Sequence, residues 1–144
     1  MKSEKENYQI TVYSKITDSE GEVNEMTLYT EATYKHERSK AYLMYEETEI
    51  SGMEHTKTLV SYDDRMVQIK RFGENASVLK IEIDEWYDNI YQTPYGIFIM
   101  KTKGNFIKWN DKADIDIELN YQLEIEGDQG SMSEVSIKIN SKKD

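Results

Sequence analysis

Residues 114–125 read Asp-Ile-Asp-Ile-Glu-Leu-Asn-Tyr-Gln-Leu-Glu-Ile, and this stretch decides the fold class. From Ile115 to Ile125 every second residue is apolar or aromatic, and every residue between is polar. Successive side chains of a β-strand point to opposite faces of the sheet, so a period of two predicts a strand with one buried and one solvated face. A helix would instead repeat its apolar residues every three or four positions.

The same alternation recurs along the chain between short polar turns that contain glycine, asparagine and aspartate. Predicted strands cover residues 8–16, 26–34, 41–50, 56–62, 66–72, 77–83, 95–101, 106–109 and 115–125, with a last strand around residues 135–139. Residues 84–89 fit either a loop or a single helical turn. About ten short antiparallel strands predict an all-β barrel or sandwich. Consecutive hairpins without a long crossover favour a single up-and-down barrel, which also removes free sheet edges.

Composition limits the classes of protein that the chain can belong to. Its 144 residues fit one domain, residues 1–144, with flexible ends at 1–7 and 140–144. There is no cysteine and no apolar run long enough for a signal peptide or a membrane span, which favours the cytoplasm. The net charge of −10 opposes contact with nucleic acid and with anionic lipid, so neither is a predicted partner.

The chain's single proline lies in the stretch Tyr91–Met100, directly after a cluster of aromatic residues. Pro94 and Gly96 predict a corner where the chain passes from its first hairpins to the second half of the barrel. Tyr91 and Tyr95 would then pack over one barrel end. Residues 95–101 carry apolar side chains on both faces, so one face should cover residues 84–90 or a second subunit, as in a homodimer.

Two segments together resemble a known family. They are residues 45–58, Tyr-Glu-Glu-Thr-Glu-Ile-Ser-Gly-Met-Glu-His-Thr-Lys-Thr, and residues 91–96, Tyr-Gln-Thr-Pro-Tyr-Gly. Both are similar to the YwiB-like proteins, small bacterial proteins whose domain has no known function. The resemblance covers most of the chain and implies a calycin-like (lipocalin-like) antiparallel β-barrel. It implies no activity and no site residues, although calycins commonly bind small apolar ligands inside the barrel.

Arg71 is the charged residue that alternation places on an apolar face, since it shares that face with Val67 and Ile69. A guanidinium inside a barrel needs a carboxylate partner or an anionic ligand, because an unpaired buried charge is very costly. Glu47 and Glu49 are the predicted partners if Tyr45 points inward, and Glu46 is the partner in the other register. The competing interpretation is that Arg71, near a strand end, extends into solvent at the barrel mouth.

Four further residues complete the predicted ligand site. Thr58 faces the same side as Val60, either as part of a polar rim at the barrel mouth or as an ordinary strand residue. Tyr45, Tyr95 and Tyr121 offer rings with a hydroxyl, which suit a barrel core as well as a mostly apolar pocket with a few polar anchors.

No catalytic or cofactor pattern accompanies these residues. His36 and His55 have no second ligand nearby in sequence, so no metal site is predicted. Asp114, Asp116 and Glu118 face away from the apolar stripe, and the chain has no phosphate-binding glycine loop or nucleophile elbow. The sequence therefore predicts a non-enzymatic barrel that needs no cofactor and binds a small, partly apolar and anionic ligand. The alternative is a protein-interaction or structural domain with a filled interior and an exposed apolar patch around Phe72, Phe98 and Met100.

Overall fold

The computed structural model describes residues 6–48, 55–63, 65–73, 76–112, 114–125 and 130–143. These residues form ten β-strands. The strands are β1 (Glu6–Asp18), β2 (Val23–Glu37), β3 (Lys40–Glu46), β4 (Thr56–Asp63), β5 (Met66–Gly73), β6 (Ser77–Glu82), β7 (Trp86–Thr93), β8 (Gly96–Asn110), β9 (Asp116–Ile125) and β10 (Ser131–Lys143). Among the described residues no stretch is helical, and so none is a helix that could cross a membrane.

Each strand is antiparallel to the next, and β10 pairs with β1, which closes the sheet into a barrel. This confirms the predicted fold class. The paired region is longer than the sequence predicts at both ends of the chain, because Asn7 lies opposite Lys143 in the β1–β10 ladder. The cleanest alternation becomes β9, whose residues Ile117, Leu119 and Tyr121 are buried.

The predicted boundaries are wrong in residues 84–110. Most of the ambiguous segment 84–89 belongs to β7, and the two short strands predicted at 95–101 and 106–109 are the single strand β8. The pattern misled because β7 reverses the usual polarity, with Asn89 buried inside and Ile90 exposed outside. Gly104, which looked like a turn residue, lies within β8 where that strand runs against the end of β6. A Cβ there would lie 2.9 Å from the backbone carbonyl of Glu82, so only glycine fits.

The predicted corner at Pro94 is also wrong. Thr93 pairs with Gly96, so Pro94 and Tyr95 form the tight turn of the β7–β8 hairpin. β7 and β8 are therefore neighbours in the barrel wall, and the proline marks a reversal of the chain. Proline suits this position because a turn residue does not need to donate to the ladder.

One end of the barrel is filled by aromatic side chains. β2, β4 and β8 run in the same direction, and their carboxyl ends bring Tyr34, Tyr62 and Trp109 together. The rings of Tyr62 and Trp109 stack with 5.2 Å between centroids, and Trp109 Nε1 donates to the Tyr34 hydroxyl at 2.9 Å. Tyr34 in turn donates to Asp111 Oδ2 at 2.7 Å, and His36 Nδ1 lies 2.7 Å from the same oxygen. We call this the closed end.

Candidate functional site

A cavity of about 320 Å³ lies inside the opposite end of the barrel, which we call the open end. The carboxyl ends of β1, β3, β5 and β9 meet there, as do the amino ends of β2 and β10. Most of the inner wall is aliphatic. The lining residues are Val12, Ser14, Ile16, Asn24, Glu25, Met26, Tyr45, Val60, Ile69, Arg71, Leu119, Tyr121, Ser133, Glu134, Val135 and Ile137.

Arg71 is the cation that lines this cavity. It follows the buried residues Val67 and Ile69 on the inward face of β5, as the alternation predicted. Its side chain is 24% exposed, so most of it lies inside the barrel. The nearest described carboxylate is that of Glu47, whose Oε2 lies 3.9 Å from Arg71 Nε. At that distance the two side chains form an ion pair but no hydrogen bond.

The Nε atom of Arg71 is buried and has no hydrogen-bond partner within the described part of the chain. A buried donor without an acceptor costs about 1–3 kcal/mol, and more for a charged group. The cost is removed when an acceptor enters the cavity, since guanidinium N–H groups bind carboxylates and similar anions with strong, directed hydrogen bonds. The geometry is therefore that of an arginine with spare donor capacity.

Glu47 follows the end of β3, where its backbone N–H donates to the carbonyl of Thr56 at 2.9 Å. Its side chain is only 2% exposed, and its Oε2 accepts a hydrogen bond from the hydroxyl of Thr58. Thr58 is fully buried on β4, between Tyr45 on β3 and Arg71 on β5 in the same row of the barrel wall. The inward register with Tyr45 and Glu47, one of the two predicted, is the observed one.

Tyr45 completes a short polar chain. It lies beside Thr58 in the same row of the barrel wall. Burial raises the pKa of Tyr45 well above its usual value, and the Glu47 carboxylate adds to this while Arg71 opposes it. Tyr45 therefore stays neutral at physiological pH.

Tyr121 approaches the cavity from β9. It lies opposite Ser133 of β10. Burial raises the pKa of Tyr121, and both the positive charge of Arg71 and the neighbouring Ser133 hydroxyl oppose that rise. Tyr121, Tyr45 and Arg71 thus bring neutral hydroxyls and one cation to the same cavity.

The six predicted site residues fall into three groups. Arg71, Tyr45 and Tyr121 line the cavity, whereas Glu47 and Thr58 are buried behind them and contact them. Tyr95 is 93% exposed in the β7–β8 turn and does not line the cavity. The sequence predicts Tyr95 at the site because Pro94 suggests a corner, whereas the hairpin turn directs the ring of Tyr95 into solvent.

Several cavity residues were missed by the sequence analysis. Ser14 follows Ile10 and Val12 on the inward face of β1, and Ser133 precedes Val135 and Ile137 on that of β10. Their alternation carried the signal, but a serine attracts no attention without knowledge of what lies opposite. Asn24 and Glu25 near the start of β2 and Glu134 on β10 also contribute to the lining.

The described residues form no cluster of three or more histidine, cysteine, aspartate or glutamate side chains that could hold a metal ion. His55 lies in the turn before β4 and is exposed. His36 belongs to the closed end, where it contacts Asp111. The cavity-lining residues include no histidine, and their carboxylates are Glu25 and Glu134.

Comparisons with known proteins agree on the kind of domain. The family described as "Domain of unknown function (DUF1934)" matches residues 10–139. The crystal structure of the ywiB protein from Bacillus subtilis is similar in fold, with a TM-score of 0.77 and 18% sequence identity. That match covers 95% of this chain and 94% of the ywiB chain. No curated protein matches the sequence significantly.

Proposed function

The chain belongs to the DUF1934 family, and we propose that it is a non-enzymatic cytoplasmic barrel that binds a small anionic, partly apolar molecule at its open end. The observation that carries the proposal is the buried Nε of Arg71, which lacks a hydrogen-bond partner among the described residues and lies beside a cavity of about 320 Å³. The cavity also favours this proposal over a structural barrel with a filled interior.

The lining defines the chemistry of the ligand. Aliphatic residues of β1, β4, β5, β9 and β10 form most of the wall, which suits a hydrocarbon or ring portion. Arg71 supplies one positive charge, and the hydroxyls of Tyr45, Tyr121 and Ser133 supply neutral hydrogen-bonding groups. Arg71 is the one cation among the lining residues, whereas the carboxylates of Glu25 and Glu134 lie on the outer face beside Tyr13. The best match is a molecule with a single carboxylate.

The cavity volume limits the ligand's size. A water-sized group occupies about 30 Å³, so 320 Å³ holds about ten such groups. A carboxylate with a medium-length hydrocarbon chain or one substituted ring meets this limit. Larger ligands would have to extend past Asn24 and Glu25.

Octanoate is the probe that tests this proposal, with octanol as the neutral control of the same chain length. Isothermal titration calorimetry should give at least about tenfold tighter binding of octanoate, which corresponds to roughly 1.4 kcal/mol. Arg71→Gln should remove that preference and leave the weak binding of octanol unchanged. Lys35→Gln, which removes a half-buried cation of the same charge from β2, should leave the preference intact.

Because Arg71→Gln leaves the Glu47 carboxylate without its nearest cation, the double variant Arg71→Gln/Glu47→Gln is the second test of the same loss. Equal affinity for octanoate and octanol in the natural protein would contradict the proposal. Native mass spectrometry of protein purified from its own host then identifies any small molecule that remains bound.

A further inference from the structure

The apolar patch predicted around Phe72, Phe98 and Met100 does not form as a set of exposed residues, because Met100 is buried in the core. The cavity, by contrast, has a second charged group beside Arg71. That group is Glu47.

Glu47 is a buried anion, and the binding of a carboxylate at Arg71 would bring a second anion close to it. The side chain of Glu47 is only 2% exposed, and Glu47 is the one charged residue among the buried residues of the described chain. Its Oε2 lies 3.9 Å from Arg71 Nε and accepts a hydrogen bond from the Thr58 hydroxyl. Glu47 is therefore a fixed negative charge next to the cation that the ligand would use.

The charges inside the open end are balanced before a ligand enters. Arg71 on β5 is the one cation among the lining residues, and Glu47 beside it supplies the opposite charge. β4 contributes the neutral hydroxyl of Thr58. Tyr45 on β3 and Tyr121 on β9 also face this pair, and burial raises the pKa of both, so they stay neutral. A ligand carboxylate would thus add an uncompensated negative charge to a buried site, which is costly.

The two carboxylates would be near neighbours. A ligand oxygen that accepts from Arg71 Nε at about 2.8 Å lies within about 7 Å of Glu47 Oε2, because Oε2 is 3.9 Å from the same nitrogen. At an effective dielectric constant of about 20, the repulsion between two unit charges about 7 Å apart weakens binding by roughly fiftyfold. Two carboxyl groups in one site relieve such repulsion when one of them keeps a proton.

We propose that the open end binds a carboxylate together with one proton, which Glu47 and the ligand carboxylate share. This inference rests on the proposed function, since it concerns the same site. The proton comes from the buffer, so binding strengthens as the pH falls. Free glutamate carboxyls release their protons near about pH 4.3, and fiftyfold repulsion is enough to retain the shared proton up to about pH 6.

Isothermal titration calorimetry in two buffers measures the coupled proton. Octanoate is titrated into the natural protein at about pH 6 in MES and in imidazole, which release a proton with different enthalpies. The difference between the two observed heats, divided by the difference between the two ionisation enthalpies, gives the number of protons taken up. We expect at least about half a proton for octanoate and none for octanol. The affinity for octanoate should fall by at least about fourfold from about pH 5.5 to about pH 7.5.

Glu47→Gln removes the buried charge and keeps a hydrogen-bond acceptor for Thr58. It should abolish the proton uptake and make the affinity for octanoate independent of pH. It should also raise that affinity by at least about tenfold at about pH 7.5, because the repulsion is gone. Glu46→Gln is the matched control, since Glu46 is the neighbouring carboxylate and is exposed on the outward face of β3. It should leave the proton uptake and the affinity unchanged.

His55 needs its own control, because histidine is the side chain that ordinarily titrates between about pH 5 and about pH 8. It is exposed in the turn before β4, next to Thr56, whose carbonyl accepts from the backbone N–H of Glu47. His55→Gln should take up the same number of protons as the natural protein when octanoate binds.

Three results would overturn the inference. The first is tighter binding of octanoate than of octanol without proton uptake, which agrees with the proposed function and contradicts only the shared proton. The second is proton uptake that persists in Glu47→Gln or disappears in His55→Gln. The third is equal affinity of the natural protein for octanoate and octanol, which contradicts the proposed function and this inference together.

Discussion

Gly73 ends β5 where the chain approaches the turn at His55, and it shows how closely the open end is packed. Its φ is +113°, a backbone conformation that residues with a side chain rarely adopt, and a Cβ there would overlap the carbonyl oxygen of His55. Gly73→Ala should therefore lower the free energy of unfolding by at least about 2 kcal/mol. Urea unfolding followed by circular dichroism measures the loss.

Gly21 supplies the control for this substitution. It also has a positive φ, of +86°, but a Cβ there would have no atom within 4 Å. Gly21→Ala thus carries the conformational cost alone, about 1–2 kcal/mol. A loss at Gly73→Ala no larger than that at Gly21→Ala would show that the approach of the two backbone segments contributes nothing.

The candidate site was partly readable from single residues. Alternation placed Arg71 on the inward face, and the cost of a buried charge pointed to a glutamate partner, which the structure provides in Glu47. Alternation within a strand does not give the register between two strands, so the pairing of Tyr121 with Ser133 could not be predicted. Tyr95 was misassigned for a related reason, since the direction of its ring depends on the type of turn that Pro94 forms.

At the scale of elements, the contact between β6 and β7 differs from the rest of the barrel wall. The two named strands share one ladder pair among their described residues, Ser77 with Tyr91. Side chains replace the missing backbone bonds. Asn89 Oδ1 accepts from the backbone N–H of Lys80 at 2.8 Å, and Asn89 Nδ2 donates to the Met100 carbonyl at 3.1 Å and to Thr102 Oγ1 at 3.0 Å. The Thr102 hydroxyl donates to the Lys80 carbonyl.

Asn89→Ala should open this contact. It removes these bonds and leaves buried backbone groups unpaired, which costs about 1–3 kcal/mol for each such group. We expect the free energy of unfolding to fall by about 2–4 kcal/mol, and the amide of Lys80 to exchange with deuterium faster than the amides of β9. Hydrogen-exchange mass spectrometry and urea unfolding measure the two effects.

Asn120 is the matched control on the outer face of β9. Its side chain accepts from Asn105 Nδ2 at 3.0 Å and donates to Glu134 Oε1 at 3.3 Å, both in contact with solvent. Water can replace these bonds, so Asn120→Ala should cost less than about 1 kcal/mol. Equal effects of the two substitutions would mean that the β6–β7 contact does not depend on Asn89.

The β6–β7 contact also shows why some strands could be predicted from the sequence and others could not. Strands β1–β6, β9 and β10 alternate regularly and were predicted, because each buries one face and solvates the other. β7 was missed since its inward residue Asn89 is polar and its outward residue Ile90 is apolar. β8 was divided at Gly104, whose role depends on β6 passing close by. Where side-chain hydrogen bonds join two strands, as at Asn89, an inward residue is polar and the alternation that marks a strand is lost.

At the scale of the whole molecule, the two ends of the barrel are unlike. The closed end is filled by the stacked rings of Tyr62 and Trp109 together with Tyr34, and the open end holds the cavity beside Tyr45 and Tyr121. Both ends therefore depend on buried tyrosines. Burial raises the pKa of Tyr34, Tyr45 and Tyr121 above the usual value of 10, and at Tyr34 the hydrogen bond to Asp111 adds to this effect.

These raised pKa values predict that the barrel loses stability in alkaline solution. Below pH 10 the tyrosines are neutral in both the folded and the unfolded chain, so their contribution is fully present. As the pH rises above 10, the unfolded chain releases tyrosine protons that the folded chain retains, and the free energy of unfolding falls. The fall continues up to the folded pKa, by at most about 1.4 kcal/mol per pH unit for each tyrosine.

Urea unfolding between pH 9 and about pH 11 tests this prediction. Tyr45→Phe removes one of the titrating groups, so its stability should fall less steeply with pH than that of the natural protein, by up to about 1.4 kcal/mol per pH unit. Lysines also titrate in this range, so the slopes of the variants are compared with one another. Tyr29→Phe, at an exposed tyrosine on β2, is the control for the loss of a tyrosine. If Tyr45→Phe and the natural protein lost stability with the same slope, alkaline unfolding would not be linked to the open end.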